Sequence, residues 1–246
     1  MDVTIMPLAG QHILVTRSTP QGAHLCELLA DQGAITYHIP TLEIQPRAVN
    51  LSLIEFDIAI FISTNAVKHY PFKLFPSSAR YFAIGRATGA ALMERGVIAQ
   101  QPEQENNSEG LLDLLELQFA SGKKIAIFCG VGGRMLLQET LEKRGAHCQR
   151  YEVYQRYCAV DQAPRLQCLL KETALDYVIC TSGENLLCLE QLAGSQIIQL
   201  HRIPMLVISQ RIATMAIAQG FARVFAMNES FDNIGIVRQL VNSAKK

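Results

Sequence analysis

Short apolar runs alternate along the chain with longer stretches whose apolar positions recur at helical spacing. The segments His12–Arg17, Ile35–Ile39, Asp57–Ser63, Ala79–Ile84, Lys124–Cys129, His147–Tyr151, Asp176–Thr181, Met205–Ser209 and Arg223–Met227 read as strands. The segments Gln21–Gln32, Ala66–Leu74, Ala87–Arg95, Glu109–Ala120, Arg134–Arg144, Ala163–Glu172, Asn185–Ala193, Arg211–Gln219 and Ile234–Ser243 read as helices. This alternation predicts an α/β protein with parallel sheets flanked by helices. Gly33, Gly96, Gly145 and Gly220 each follow a helical stretch, where a left-handed cap favours glycine. Pro20 suits a first helical position and Ser108 an N-cap. Two extended segments, Thr41–Pro46 and Glu152–Tyr157, have no helix after them and read as crossings between lobes.

The pattern repeats. Gly33-Ala34 and Gly145-Ala146 end equivalent strand–helix units, and at the same offset Ile13 matches Ile125, Leu25 matches Leu137 and Leu29 matches Leu141. A second unit, Asp57 to Ser63, matches Asp176 to Ser182, and the stretch from Ile84 to Gly96 matches that from Ile208 to Gly220. Two copies of one fold account for this, and they predict two similar lobes with the working site in the cleft between them.

Composition narrows the function. In 246 residues, 49% are hydrophobic and 18% charged, enough to bury a sizeable core. Lys plus Arg and Asp plus Glu are 22 each, which disfavours non-specific nucleic-acid binding. There is no signal-like start, no span-length apolar run and no basic run, so a soluble cytoplasmic protein without membrane contact is expected. The seven cysteines form no Cys-x-x-Cys pair and read as reduced thiols, with Cys129 and Cys180 in the core. The six histidines are scattered, so no metal site is expected.

The candidate chemistry sits at strand ends, where open parallel sheets place ligands. Ser63-Thr64-Asn65 and Ser182-Gly183-Glu184-Asn185 occupy matching positions, as helix caps, ligand contacts or both. Arg17, Arg86, Arg134 and Arg211 also fall at strand ends and could form a local anion site in a neutral protein. Gly130-Val131-Gly132-Gly133 lacks the spacing of a nucleotide loop; it is either a turn needing positive φ or a set of amides facing an anion. Tyr37, Tyr151, Tyr154 and Tyr157 lie near the crossings and could pack there or supply a proton. The residues alone therefore indicate a two-lobed α/β protein binding an acidic small molecule.

In order and spacing, these pieces resemble the uroporphyrinogen-III synthase family from Ile13 to about Leu240. The matching segments are Ile13 to Arg17 with Gly33-Ala34 and Ile39-Pro40, Phe61 to Val67, Ala83 to Thr88 with Gly96, Asn107 to Leu112, Gly130 to Arg134 with Arg144-Gly145-Ala146, Val153-Tyr154-Gln155-Arg156, Thr181-Ser182 and the Gly220 helix. The resemblance implies a discontinuous lobe from 1–40 and 158–246, a second lobe from 45–151, and a two-stranded β ladder from 41–46 and 152–157. It also implies cyclisation of hydroxymethylbilane, a linear tetrapyrrole with eight carboxylates, to uroporphyrinogen III. Water is lost, the last ring is inverted, and no cofactor or metal takes part. Tyr154 becomes the candidate to assist departure of the hydroxyl, with Ser63, Thr88 and Ser182 facing the ligand. Arg17, Thr64, Asn65, Arg86, Gly132, Arg134 and Arg211 become the further substrate-binding candidates. A monomer with mobile lobes is expected, with a transient contact to hydroxymethylbilane synthase. Where the family often carries Gly-Pro and then Thr or Arg, this chain reads Ser209-Gln210-Arg211-Ile212. The rival reading is a non-catalytic two-lobed binding module for an acidic small molecule.

Overall fold

The computed structural model describes residues 6–49, 55–71, 76–103, 107–227 and 232–244. The chain divides into two compact units, Met1–Glu43 with Tyr157–Lys246 (unit 1) and Ile44–Arg156 (unit 2).

Unit 1 holds a five-stranded sheet in the order β10-β9-β8-β1-β2, and every pair is parallel. Its strands are β1 (His12–Val15), β2 (Ile35–His38), β8 (Tyr177–Cys180), β9 (Met205–Val207) and β10 (Val224–Ala226). Ile13, Leu14, Val15, Val178, Ile179 and Cys180 are buried, as central strands covered on both faces require. The helices are α1 (Gln21–Ala30), α7 (Ala163–Glu172), α8 (Gly183–Ala193), α9 (Ile197–Arg202), α10 (Gln210–Ala218) and α11 (Asn233–Ala244). Leu25 and Leu29 of α1 pack with Ile236 and Leu240 of α11 beneath one face, and α7 and α8 cover the other.

Unit 2 holds β3 (Leu42–Pro46), β4 (Ile58–Phe61), β5 (Arg80–Ala83), β6 (Lys124–Gly130) and β7 (His147–Cys158) in the order β3-β7-β6-β4-β5. The pairs β4–β5, β4–β6 and β6–β7 are parallel. Its helices are α2 (Thr64–Lys68), α3 (Arg86–Glu94), α4 (Ser108–Leu112), α5 (Leu115–Gln118) and α6 (Leu136–Lys143).

The sheets carry the repeat. The order β9-β8-β1-β2 in unit 1 corresponds to β5-β4-β6-β7 in unit 2. The registers also correspond: Ile13 pairs with Tyr177 as Ile125 pairs with Ile58, and His12 pairs with Ile35 as Lys124 pairs with His147. Gly33, Gly96, Gly145 and Gly220 all have positive φ, which accounts for glycine after those helices.

Several sequence expectations are corrected. The helix expected over Ala66–Leu74 starts at Thr64 and ends at Lys68, shortly before Pro71; residues 72–74 lie outside the described residues. The helix expected over Glu109–Ala120 is two short helices, and its cap is Asn107 rather than Ser108: Gly110 N donates to Asn107 Oδ1 at 2.7 Å. Pro20 precedes α1 as its cap residue instead of opening it. Helix α9 has no counterpart in the sequence reading. The segment Glu152–Tyr157 is not a separate strand, because β7 runs unbroken from His147 to Cys158 with β3 beside it. The cysteines are not all free. Cys158 and Cys188 are bridged, with Cα atoms 5.2 Å apart, while Cys129 and Cys180 are buried free thiols.

Candidate functional site

In each unit the parallel strands point their C-terminal ends the same way, and helix caps gather at that edge. Ser63 caps α2 by accepting Ala66 N–H at 3.0 Å, and Ser182 caps α8 by accepting Asn185 N–H at 3.1 Å. The two serines hold equivalent places in the repeat. Ser209 caps α10 by accepting Ile212 N–H at 3.4 Å, where unit 2 has Gly85, so the Ser209-Gln210-Arg211-Ile212 segment has a capping role.

The densest polar arrangement lies in unit 2 around Tyr154. Strand β7 carries one extra residue against β6: Cys129 pairs with Glu152, but Gly130 pairs with Tyr154. This irregularity re-aims the strand, as bulges do beside functional sites. Gly130 then makes room for the ring, since a Cβ there would lie 2.6 Å from Tyr154 Cε2 and Cζ. The Tyr154 hydroxyl lies 3.0 Å from Ser63 Oγ, and Arg156 Nη2 donates to it at 3.3 Å. The Arg156 guanidinium also sits 5.5 Å from the centre of the Tyr154 ring. His69 lies near, with ring centres 6.1 Å apart. Burial, and then the neighbouring Lys68, lower the His69 pKa, which favours neutral imidazole there.

Donor counting orients this group. A serine hydroxyl accepts twice and donates once. Arginine only donates, so its bond occupies a Tyr154 lone pair. Among the described residues, Ser63 Oγ is the acceptor within reach of the Tyr154 proton. Either hydroxyl can donate in the Ser63–Tyr154 contact; when the phenol donates, Ser63 accepts from both Tyr154 and the Ala66 amide and its own proton points outward. Tyr154 itself is 2% exposed. Half-buried Ser63 is the outer member of the pair.

The other candidates are dispersed. Thr64 and Asn65 form the half-buried first turn of α2. Thr88 is 3% exposed because it shares the inner face of α3 with Leu92. Arg86 donates to Glu103 O at 3.2 Å, and Arg134 pairs with Glu109 at 3.3 Å, both exposed. The Gly-rich loop is a turn: Gly132 and Gly133 have positive φ, and α6 starts at Leu136, not at Arg134. Gly132 N–H is directed at Glu152 Oε1 at 3.4 Å, and its carbonyl accepts from Arg150 at 2.7 Å. In unit 1, Arg17 Nη1 donates to Asn233 Oδ1 at 2.9 Å; burial lowers the Arg17 pKa and Asp232 opposes that shift. Arg211 is exposed and reaches Met215 Sδ at 3.6 Å. Tyr37 bonds His12 Nδ1 at 2.8 Å, and Tyr151 stacks on Phe128, so neither joins the Tyr154 group. A hollow of about 500 Å³, lined by Glu55, Lys124, Glu142 and His147 among others, lies at the N-terminal ends of β6 and β7. Ligands of parallel sheets sit at the other end. No group of three or more potential metal ligands occurs among the described residues.

In the sequence reading Arg156 has no role beyond its place in a matching segment, Gly130 has only a loop or anion-facing role, and His69 has none. Arg156 carried a usable signal: on a strand it shares a face with Tyr154, two residues away. His69 depends on where α2 ends and gave none.

Fold and site together define a duplicated, parallel-sheet α/β protein with hydroxyl donors and arginines at its strand ends. A family model described as "Uroporphyrinogen-III synthase HemD" matches residues 23–234. Uroporphyrinogen-III synthase of Escherichia coli K12 is 34% identical over 252 residues, covering 93% of this chain and 99% of the relative. That of Salmonella typhimurium is 34% identical over 248 residues, covering 93% and 99%. The solved uroporphyrinogen-III synthetase of Helicobacter pylori shares the fold at 13% identity, with a TM-score of 0.63 over 95% of this chain and 99% of that one. The chain belongs to the uroporphyrinogen-III synthase family, enzymes of haem biosynthesis.

Proposed function

We propose that this chain closes hydroxymethylbilane to uroporphyrinogen III, with loss of water and inversion of the last ring, and that the Ser63–Tyr154 pair delivers the proton that takes the hydroxyl away. The observation that carries the catalytic part is the 3.0 Å contact between Ser63 Oγ and Tyr154 Oη, at the level of the C-terminal ends of β4 and β6. In this reading Ser63 donates its outward proton to the leaving hydroxyl, which departs as water. Ser63 is reprotonated from Tyr154 in the same motion, and general-acid help of this kind is worth about 10²–10⁴-fold. Ring closure later releases a proton from carbon, which restores the phenol. Much of the remaining work is holding a flexible chain in one folded geometry.

In unit 2 the strand-end groups proposed to hold substrate carboxylates are Thr64, Asn65, Arg86, Gly132 and Arg134; in unit 1, taken by itself, the corresponding groups are Arg17, Ser182 and Arg211. Within each sheet the two arginines follow strands that have one strand between them, so those strands lie roughly 10 Å apart. That spacing suits a ligand whose charges are spread out. No helix among the described residues is long and apolar enough to cross a membrane. We place the protein in the cytoplasm as a monomer, where a reducing environment would open the Cys158–Cys188 bridge.

The test is Tyr154→Phe. Turnover to uroporphyrinogen III falls by at least about tenfold while the melting temperature is kept. Wild-type turnover in the variant would remove Tyr154 from the mechanism.

A further inference from the structure

We infer that Arg156 is the positioning residue of this site: it acts through Tyr154, fixing the phenol and stabilising the charge left as its proton moves to Ser63. The inference rests on the proposed Ser63–Tyr154 donor pair and goes one residue further back.

Three observations carry it. Arg156 Nη2 donates to the Tyr154 oxygen at 3.3 Å, and the same guanidinium covers the ring at 5.5 Å, so one cation holds the side chain by edge and by face. The Tyr154 ring is seated on Gly130, where no side chain could fit, so it has little freedom to seek another donor. The phenol is buried, and a buried oxygen that gains negative charge needs a cation or several donors beside it. When the O–H bond of Tyr154 breaks toward Ser63, its electron pair stays on the phenolic oxygen. Arg156 is then the cation in hydrogen-bonding contact with that oxygen. Arg156 is itself exposed, so replacing it removes charge without opening the core.

The experiment compares wild type, Arg156→Gln, Arg156→Lys, Tyr154→Phe and the Tyr154→Phe/Arg156→Gln double variant. Each is assayed for kcat and KM with hydroxymethylbilane, with thermal melting as the fold control. Arg156→Gln is expected to lower kcat about 10- to 100-fold with KM little changed, because the bond from Arg156 strengthens as negative charge develops on the phenolic oxygen in the transition state. Arg156→Lys, which keeps the charge, loses less. In the Tyr154→Phe background Arg156→Gln adds nothing, since its target is gone. A raised KM with retained kcat, or losses that multiply in the double variant, would overturn the inference and make Arg156 a direct carboxylate contact. Full activity in Arg156→Gln together with a damaged Tyr154→Phe would also overturn it, while leaving the donor pair intact. Full activity in Tyr154→Phe would remove the donor pair and this inference together.

Discussion

Replacing Asn185 by alanine tests how unit 1 holds its connecting strand. Asn185 is 2% exposed and sits in the first turn of α8. Its Nδ2 donates to Thr16 O at 2.9 Å and to Thr41 Oγ1 at 2.5 Å, and its Oδ1 is 2.6 Å from Thr16 Oγ1. These bonds tie the end of β1 to the residue that leads into β3. Thr41 O in turn accepts Ala159 N–H at 3.0 Å, where the chain has returned. Truncation removes the two Nδ2 bonds, the Oδ1 contact with a Thr16 hydroxyl proton that is shared with Ile179 O, and a longer bond from Thr181 N–H to Oδ1 at 3.4 Å, about three bonds' worth. Other partners remain: Thr16 Oγ1 keeps Ile179 O, Thr16 O keeps Thr41 N–H, and Thr41 Oγ1 keeps Asn185 O. The loss is therefore close to the net worth of three bonds, about 3 kcal/mol in all. For a chain of this size that lowers the melting temperature by about 6–12 °C. Asn185→Asp sharpens the test. Burial without a cation raises the folded-state pKa of the new carboxyl, so the variant is least impaired below the unfolded value of about 4 and loses stability as pH rises above it. Thermal unfolding at pH 4 and pH 8 reads both. A shift under about 1 °C for Asn185→Ala, or a pH-independent Asn185→Asp, would refute the network's role.

Other consequences follow from the same geometry. Gly130→Ala pushes the Tyr154 ring aside and is expected to cut turnover at least about tenfold; an active Gly130→Ala enzyme would show that the ring's seat is unimportant. Ser63→Ala removes both the α2 cap and the outer donor, so it costs about 1 kcal/mol in stability and more in kcat than its stability loss explains. In protein purified without reductant, five of the seven cysteines react with a thiol reagent after denaturation, and all seven do after reduction; seven at once would mean no Cys158–Cys188 bridge. In the folded protein exposed Cys168 is alkylated early and Cys180 last, because burial pushes the Cys180 thiol up to about 12.

The alternation of strands and helices was legible because buried parallel strands, such as Ile58–Phe61 and the 178–180 part of β8, read as short apolar runs. The duplication was legible for a different reason. Positive φ after α1, α3, α6 and α10 demands glycine at equivalent places, whatever the surface does. Failures came where tertiary context decides. The stretch from Ser108 to Gln118 has helical apolar spacing throughout, yet it breaks between Leu112 and Leu115. Helix α9 is a six-residue turn, too short for periodicity to announce. In the candidate site, Ser63 and Tyr154 were found, but their contact was not. That contact depends on an extra residue in β7 opposite Gly130, which pairing alone reveals. Thr88 was placed toward the ligand by the family resemblance alone; its spacing from Leu92 puts both on one face of α3, the buried one.

The central claim is the reaction. The direct measurement is to incubate the purified protein with hydroxymethylbilane, oxidise the products and separate the uroporphyrin isomers. Predominantly isomer III, formed faster than the spontaneous closure, is the expected result. Isomer I alone, at the rate seen without protein, would contradict it and leave a binding module for an acidic small molecule as the better description.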